Sequence, residues 1–234
     1  MIRIRAFRAP QDRETCEKFV YGHRKILEVY YGIIKITSDN TEWMADPLCI
    51  VIVAEDIETG KVYGGARVQI ASEAVHLPLE QAISKYDPAV YEHIRESRMS
   101  GGTCEICGLW NSKEVAGMGI GSRILSMVGI AITEQLNVSS MYVLCAPATV
   151  GMAYKMGLVV VTSLGNNGTF YYPKDDFIAT VMQLRDIFDL SLAKEREKDQ
   201  ILFLRENTQQ TRWERGPKGD FQVLYEIQLD PITV

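Results

Sequence analysis

The sequence predicts an α/β fold, a mixed and mostly antiparallel twisted sheet with helices on both faces. Three observations carry this. Residues 48–56 and 61–71 are apolar, β-branched runs joined by Glu58-Thr59-Gly60, the pattern of an antiparallel hairpin. Residues 103–110, a glycine-rich loop, an apolar helical stretch 122–135 and the run 140–146 follow in the order strand, loop, helix, strand, which implies a parallel pair with a crossover helix. Phe221, Val223, Tyr225, Ile227 and Leu229 alternate along one face, as in a half-buried final strand.

The remaining elements fill in around these. Residues 2–5 alternate as a short strand. From Pro10 or Asp12 to Tyr31 the apolar residues Phe19, Val20, His23, Ile26, Leu27 and Tyr30 recur at helical spacing. Short helices are expected at 79–85 and 89–98, before Gly101-Gly102 breaks the chain. A further short helix is expected at 149–156 and a strand at 158–164. Asn166-Asn167-Gly168 is a tight-turn signal, after which Phe170-Tyr171-Tyr172 pairs back. Residues 177–205 read as one long helix opened by Asp175 and Asp176, and Gly216-Pro217-Lys218-Gly219 as a turn. The expected organisation is a core over 1–174 and a C-terminal extension over 175–234, packed on the same domain. The extension's helix would close one sheet edge, cover an acceptor site or build a homodimer interface.

Composition narrows the function classes. Hydrophobic residues make up 47% and charged residues 24% of 234 residues, which suits a soluble globular chain with a real core. The net charge is −5 and no Lys/Arg block is present, so nucleic acid and anionic membrane are not expected partners. No apolar run reaches the ~18 residues a membrane span needs, and Arg3, Arg5 and Arg8 interrupt any N-terminal signal core. Five cysteines fit a reduced, cytoplasmic setting. Cys104 and Cys107 form a CxxC, but strand geometry turns i and i+3 to opposite faces and no second ligand pair follows, so no metal is implied. His23, His76 and His93 match no ligand spacing.

The segment with the strongest chemical signal is Val115-Ala116-Gly117-Met118-Gly119-Ile120-Gly121-Ser122, placed after a strand and opening a helix. Glycines let backbone N–H groups converge without Cβ interference, and a helix N-terminus adds orphan donors and a positive dipole end. That combination binds phosphate oxygens. The alternative is a tight strand-to-helix turn with no ligand. The Lys-Ser/Thr of a Walker loop and the Rossmann fingerprint are both missing.

With Glu105-Ile106-Cys107-Gly108-Leu109-Trp110 before it, the loop resembles the central motif of the GNAT acetyltransferases, Q/R-x-x-G-x-G/A after a strand. Gly119 and Gly121 fill the two glycine positions, and Ala116 stands where the family has Gln or Arg. Ala153-Tyr154-Lys155-Met156-Gly157-Leu158 is similar to the family's Tyr-x-x-x-Gly-aromatic ending, with Leu158 for Phe, and Pro147 falls where Asn is common. The resemblance covers roughly residues 48–164. It implies a GNAT-like sheet in which two parallel strands splay near Leu109 and Leu144. Pantetheine of acetyl-CoA or another acyl-CoA would lie in the gap, against backbone groups of Leu109, Trp110 and Asn111. The pyrophosphate would sit on Gly117, Gly119, Ile120, Gly121 and Ser122, with Ala116 in the same cradle.

The reading of the chemistry follows from this. Glu105, expected to share a strand face with Thr103, Cys107 and Leu109, is the candidate general base: partial burial raises a carboxylate's pKa toward the working range. The alternative is a structural Glu105 hydrogen-bonded to a neighbouring loop. Tyr154, a phenol of reference pKa about 10, is the candidate acid toward the departing thiolate, or else a packed aromatic with a wet hydroxyl. The expected activity is transfer of an acyl group, in first place acetyl, from CoA to a primary amine of a small molecule or peptide. A second resemblance runs through Tyr63-Gly64-Gly65-Ala66-Arg67-Val68 and Leu77-Pro78-Leu79-Glu80, similar to acyl-homoserine-lactone and N-acyl amino acid synthases, with Asp46 and Arg67 matching their charged residues. It implies a carrier-protein donor as the alternative. A GNAT-fold binding domain without catalysis is the third.

Overall fold

The computed structural model describes residues 1–34, 40–115 and 120–231. The chain opens with strand β1 (Ile2–Arg8), followed by helix α1 (Arg13–Tyr31). Asp12 caps α1 by accepting the Thr15 N–H at 3.0 Å, and Gly32 ends it in the left-handed region, donating back to the Glu28 carbonyl. The expected hairpin is present as β2 (Cys49–Asp56) and β3 (Val62–Ile70). Two short helices follow, α2 (Pro78–Ile83) and α3 (Ala89–Met99), then β4 (Thr103–Asn111). Helix α4 (Ser122–Ile132) crosses to β5 (Ser140–Cys145), which pairs parallel to β4. Next come α5 (Pro147–Lys155), β6 (Val159–Val160) and β7 (Thr169–Tyr171). The strand expected over 158–164 is cut to β6, because the chain turns at Val161, whose carbonyl accepts the Leu164 N–H.

The C-terminal third departs from expectation. In place of one long helix over 177–205, residues Ile178–Leu184 form strand β8, and only Glu195–Glu206 is helical, as α6. β8 is inserted between β5 and β6, and Ala179, Val181, Met182 and Leu184 are all buried. A strand covered on both faces shows no polar alternation, so its spacing is compatible with a helix. A further strand, β9 (Gln209–Gly216), pairs through the Pro217-Lys218 turn with β10 (Gly219–Glu226).

The ten strands among the described residues join one sheet of order β6-β8-β5-β4-β3-β2-β1-β10-β9, with β7 on β8. Its pairs are antiparallel except β4/β5 and β1/β10. One face carries α4, α5 and α6 over a core including Ile52, Leu125, Ile130, Met156 and Ile201. The other face carries α1 around Phe19, Trp43 and Trp110, and α2 and α3 around Leu79, Val90 and Tyr142. Helix α1 lies close against β4: a Cβ at Gly22 would come within 2.0 Å of the Trp110 indole. Among the described residues no helix is long and apolar enough to cross a membrane.

Candidate active site

β4 and β5 are hydrogen-bonded neighbours from Thr103/Ser140 to Ile106/Val143, and among the described residues their pairing ends there. β4 continues toward Asn111 beside β3 alone. Its register with β3 passes from Arg67/Cys107 to Gly65/Trp110, so Gly108 and Leu109 together oppose Ala66. Gly108 sits at φ +60°, the left-handed residue that a glycine bulge requires. The bulge reverses the side-chain alternation beyond it. Leu109 therefore turns to the face that holds Ile106 and α4, and Trp110 to the face under α1. This corrects the expectation that Leu109 shares a face with Glu105: the extra residue flips it. Cys104 lies in the α4-side core and Cys107 beside Arg67, so the two thiols of the CxxC do stand apart.

Where the strands part, a cavity of about 580 Å3 opens. β4 contributes Glu105 through Asn111 to its wall, α1 contributes His23, Ile26 and Tyr30, and β5 and α5 contribute Leu144, Met152 and Met156. Most of the lining is aliphatic or aromatic. Glu105 is its buried acid. The carboxylate is 2% exposed, and its Oε2 accepts the Leu79 N–H at 2.8 Å. Burial pushes its pKa up to about 8, against the opposing pull of the Leu79 donor and the Arg67 charge, and with a further upward push from Glu80. Arg67 is buried behind the wall, its Nε donating to Cys107 Sγ at 3.3 Å and its guanidinium lying 4.6 Å from the centre of the Trp43 ring. Asp46, the other charged residue singled out in the sequence, accepts from Gln69 Nε2 at 2.8 Å.

Neither a family model nor a curated protein sequence matches the chain. Solved structures do. FeeM, an N-acyl amino acid synthase from uncultured soil microbes, aligns with a TM-score of 0.61 at 11% identity, over 85% of this chain and 98% of FeeM. ElaA of Escherichia coli aligns at 0.54 and 11% identity, over 78% and 99%. BjaI, a CoA-dependent acyl-homoserine lactone synthase determined with SAM and isopentyl-CoA, aligns at 0.53 and 12% identity over 100% and 96%. This is the GNAT acyltransferase fold.

Within that GNAT frame the residues expected to hold a cofactor divide into four groups. Leu109, Trp110, Asn111 and Ser122 line the cavity, and Ser122 Oγ donates to Asn111 Oδ1 at 2.9 Å, tying the start of α4 to the end of β4. Gly121 is the N-cap of α4, and a Cβ built there meets none of the described residues within 4 Å. Ile120 is 1% exposed, with its side chain in the core, and it does not line the cavity. Ala116, Gly117 and Gly119 lie outside the described residues. Tyr154 is not brought together with Glu105: it is 50% exposed on α5, and the cavity wall there is made by Met152, Ala153 and Met156.

Sequence reasoning missed two contributors. The residues of α1 that roof the cavity look like ordinary helix core, and only tertiary packing shows the space beneath them. Leu79, whose N–H holds Glu105, sits in the first turn of α2. Pro78 at the first helical position and Glu80, which accepts the Leu77 N–H at 2.6 Å, form a legible helix-start signal. That signal gives a free donor, but not the carboxylate it meets.

Proposed function

We propose that this protein is an N-acyltransferase that takes an acyl group from CoA and passes it to a primary amine by direct attack in a ternary complex. The observation that carries the reading is Glu105: a buried carboxylate with an elevated pKa, fixed by one backbone donor, in the wall of the gap between two parting parallel strands. A base for an ammonium substrate needs a pKa near the operating pH and a fixed position. The Ser112 N–H donates to the Tyr63 carbonyl, so by alternation Trp110 bonds β3, and the ladder that ends at Ile106 leaves the backbone of Leu109 and Asn111 to pair with pantetheine and polarise the thioester carbonyl. The N-terminus of α4, with Gly121 and Ser122, supports a pyrophosphate site. Tyr154 is half exposed and does not line the cavity, so the thiolate's proton is assigned to solvent in this reading.

The cavity also bears on the acyl group. Pantetheine and the amine share the gap of about 580 Å3 in this reading, and the wall formed by Ile130, Met141, Met156 and Leu158 is apolar, a surface suited to a hydrocarbon chain. The reading therefore moves from acetyl to an acyl chain of several carbons. A second reading has a specific observation behind it. Pro78 and Leu79, from the segment that resembles the acyl-homoserine-lactone and N-acyl amino acid synthases, border the cavity, and Leu79 bonds the candidate base. In that reading the same chemistry draws its acyl chain from a carrier protein. The cytoplasm supplies either donor.

Calorimetry with acetyl-CoA, octanoyl-CoA and free CoA separates these readings, followed by thiol release in the presence of amino acids and polyamines. Tighter binding of octanoyl-CoA than of acetyl-CoA, with amine-dependent release, supports the first. No binding of any CoA species, with transfer from an acylated carrier protein, supports the second. Neither binding nor transfer removes the enzyme reading.

A further inference from the structure

β9 forms one edge of the sheet, and among the described residues nothing pairs with its outer side. One bond fixes which backbone groups face out. Ile227 N–H donates to the Thr208 carbonyl at 2.8 Å, one step beyond the Gln209/Glu226 pair. Bonded and non-bonded pairs alternate along an antiparallel ladder. Positions 210, 212, 214 and 216 therefore bond to β10, and the N–H and C=O groups of Thr211, Trp213 and Arg215 point away from the sheet. The side chains split the other way. Arg212 is part-exposed and Glu214 mostly buried on the α6 face, where they pair with each other at 3.4 Å: the Arg212 guanidinium lies 4.5 Å from the centre of the Phe203 ring, and Glu214 accepts from the Tyr225 hydroxyl at 2.9 Å. Trp213, between them in sequence, is 64% exposed.

We infer that a second copy of this chain pairs with β9, antiparallel about a two-fold axis through Trp213, so that two sheets continue as one. The charge pattern selects this occupant and this register. Read backwards, Arg212-Trp213-Glu214 is its own complement. With Trp213 on the axis, Arg212 of each copy opposes Glu214 of the other, and the two exposed indoles meet. Thr211 and Arg215 of opposite copies exchange backbone bonds, as do the two Trp213 residues. Moving the axis to residue 212 sets Arg212 against Arg212, and moving it to 214 sets Glu214 against Glu214; like charges directly opposite destabilise a pair. A register of mixed parity opposes an outward backbone group to one already bonded to β10. A self-complementary strand is what an isologous interface requires.

Sedimentation of the full chain over about 1–100 μM tests this, since a dimer populates by mass action. Wild type is expected to sediment as a dimer at the upper end. Thr211→Pro removes an N–H that bonds nothing in β10, and proline is tolerated on an edge strand, so this variant is expected to fold and stay monomeric. Arg212→Glu and Glu214→Arg each set like charges across the axis and are expected to be monomers alone. In an equimolar mixture of these two variants, both acidic positions of one chain face both basic positions of the other, and a mixed dimer is expected. A wild type monomeric throughout, or Thr211→Pro dimerising as wild type does, overturns the inference. A mixture that stays monomeric overturns the register.

Discussion

Glu105→Gln should change how stability depends on pH, and by a calculable amount. The folded-state pKa of Glu105 is raised from 4.5 to about 8. Below pH 4.5 the carboxyl is protonated in both states and contributes no difference. Between the two values the unfolded chain has released the proton and the folded chain still holds it. The unfolded state then binds fewer protons, so stability falls as pH rises, by about 1.4 kcal/mol per unit. Above about 8 both states are ionised and the full penalty, about 5 kcal/mol across the window, is in place. Glutamine is neutral at every pH, and its side-chain oxygen still accepts the Leu79 N–H. Urea unfolding of wild type and Glu105→Gln at about pH 5.5 and about pH 8.5 should therefore show wild type losing about 3 kcal/mol more than the variant. The same group sets catalysis in the proposed mechanism: kcat/KM should rise with pH and level off above about 8, and Glu105→Gln should lower turnover by about 10²–10⁴ with CoA affinity retained. Parallel stability curves refute the buried, proton-holding Glu105, and unchanged turnover in the variant removes it from the mechanism.

Two further outcomes follow from the cavity and its mouth. Gly121→Val adds side-chain atoms where a Cβ meets none of the described residues within 4 Å, so the stability cost should be limited to the poorer helix N-cap, about 1 kcal/mol, while calorimetry shows CoA binding clearly weakened. Along a series of saturated acyl-CoA donors, the dissociation constant should fall about 4-fold per methylene, from about 0.8 kcal/mol for each buried CH2, until the cavity is full; Met156→Phe should move that break to a shorter chain.

Much of the architecture can be read from residue patterns because each pattern has one dominant local cause. The β2/β3 hairpin, α1 with its Asp12 cap and Gly32 stop, and the β4–α4–β5 crossover all follow periodicity and turn chemistry. The failures lie where tertiary context supplies the cause. Ile178–Leu184 is a strand because β5 and β6 flank it, and Asp186 and Asp189 then bond the N–H groups of Phe188 and Ser191, turning a chain that periodicity alone continues as a helix. β9 carries Gln, Arg and Glu on an exposed edge and has no apolar face to announce it. At the site, Glu105 is legible from its place on a buried strand before a glycine loop. Tyr154 rests on a resemblance in spacing, which fixes position along α5 but not the face it presents.

Gly108 joins these observations into one structural cause. A bulge bends its strand and strengthens the local twist, and this one lies just past the last rung of the β4/β5 ladder. The bend separates the strands, turns Leu109 toward α4, and seats Trp110 beneath Gly22 of α1. Glu105 is thus left on the last paired stretch, buried yet at the edge of the gap. Gly108→Ala should disturb all of this together. A side chain in the left-handed region costs about 1–2 kcal/mol, and the added Cβ would press on Phe19 at 3.2 Å. The backbone relieves both by giving up the bulge, which restores regular alternation and draws β4 back toward β5. The expected result is lower stability by urea unfolding, together with a loss of acyl-CoA binding far larger than Gly121→Val produces. A Gly108→Ala protein that is destabilised but binds acyl-CoA as wild type does would show that the gap between the strands does not depend on the bulge.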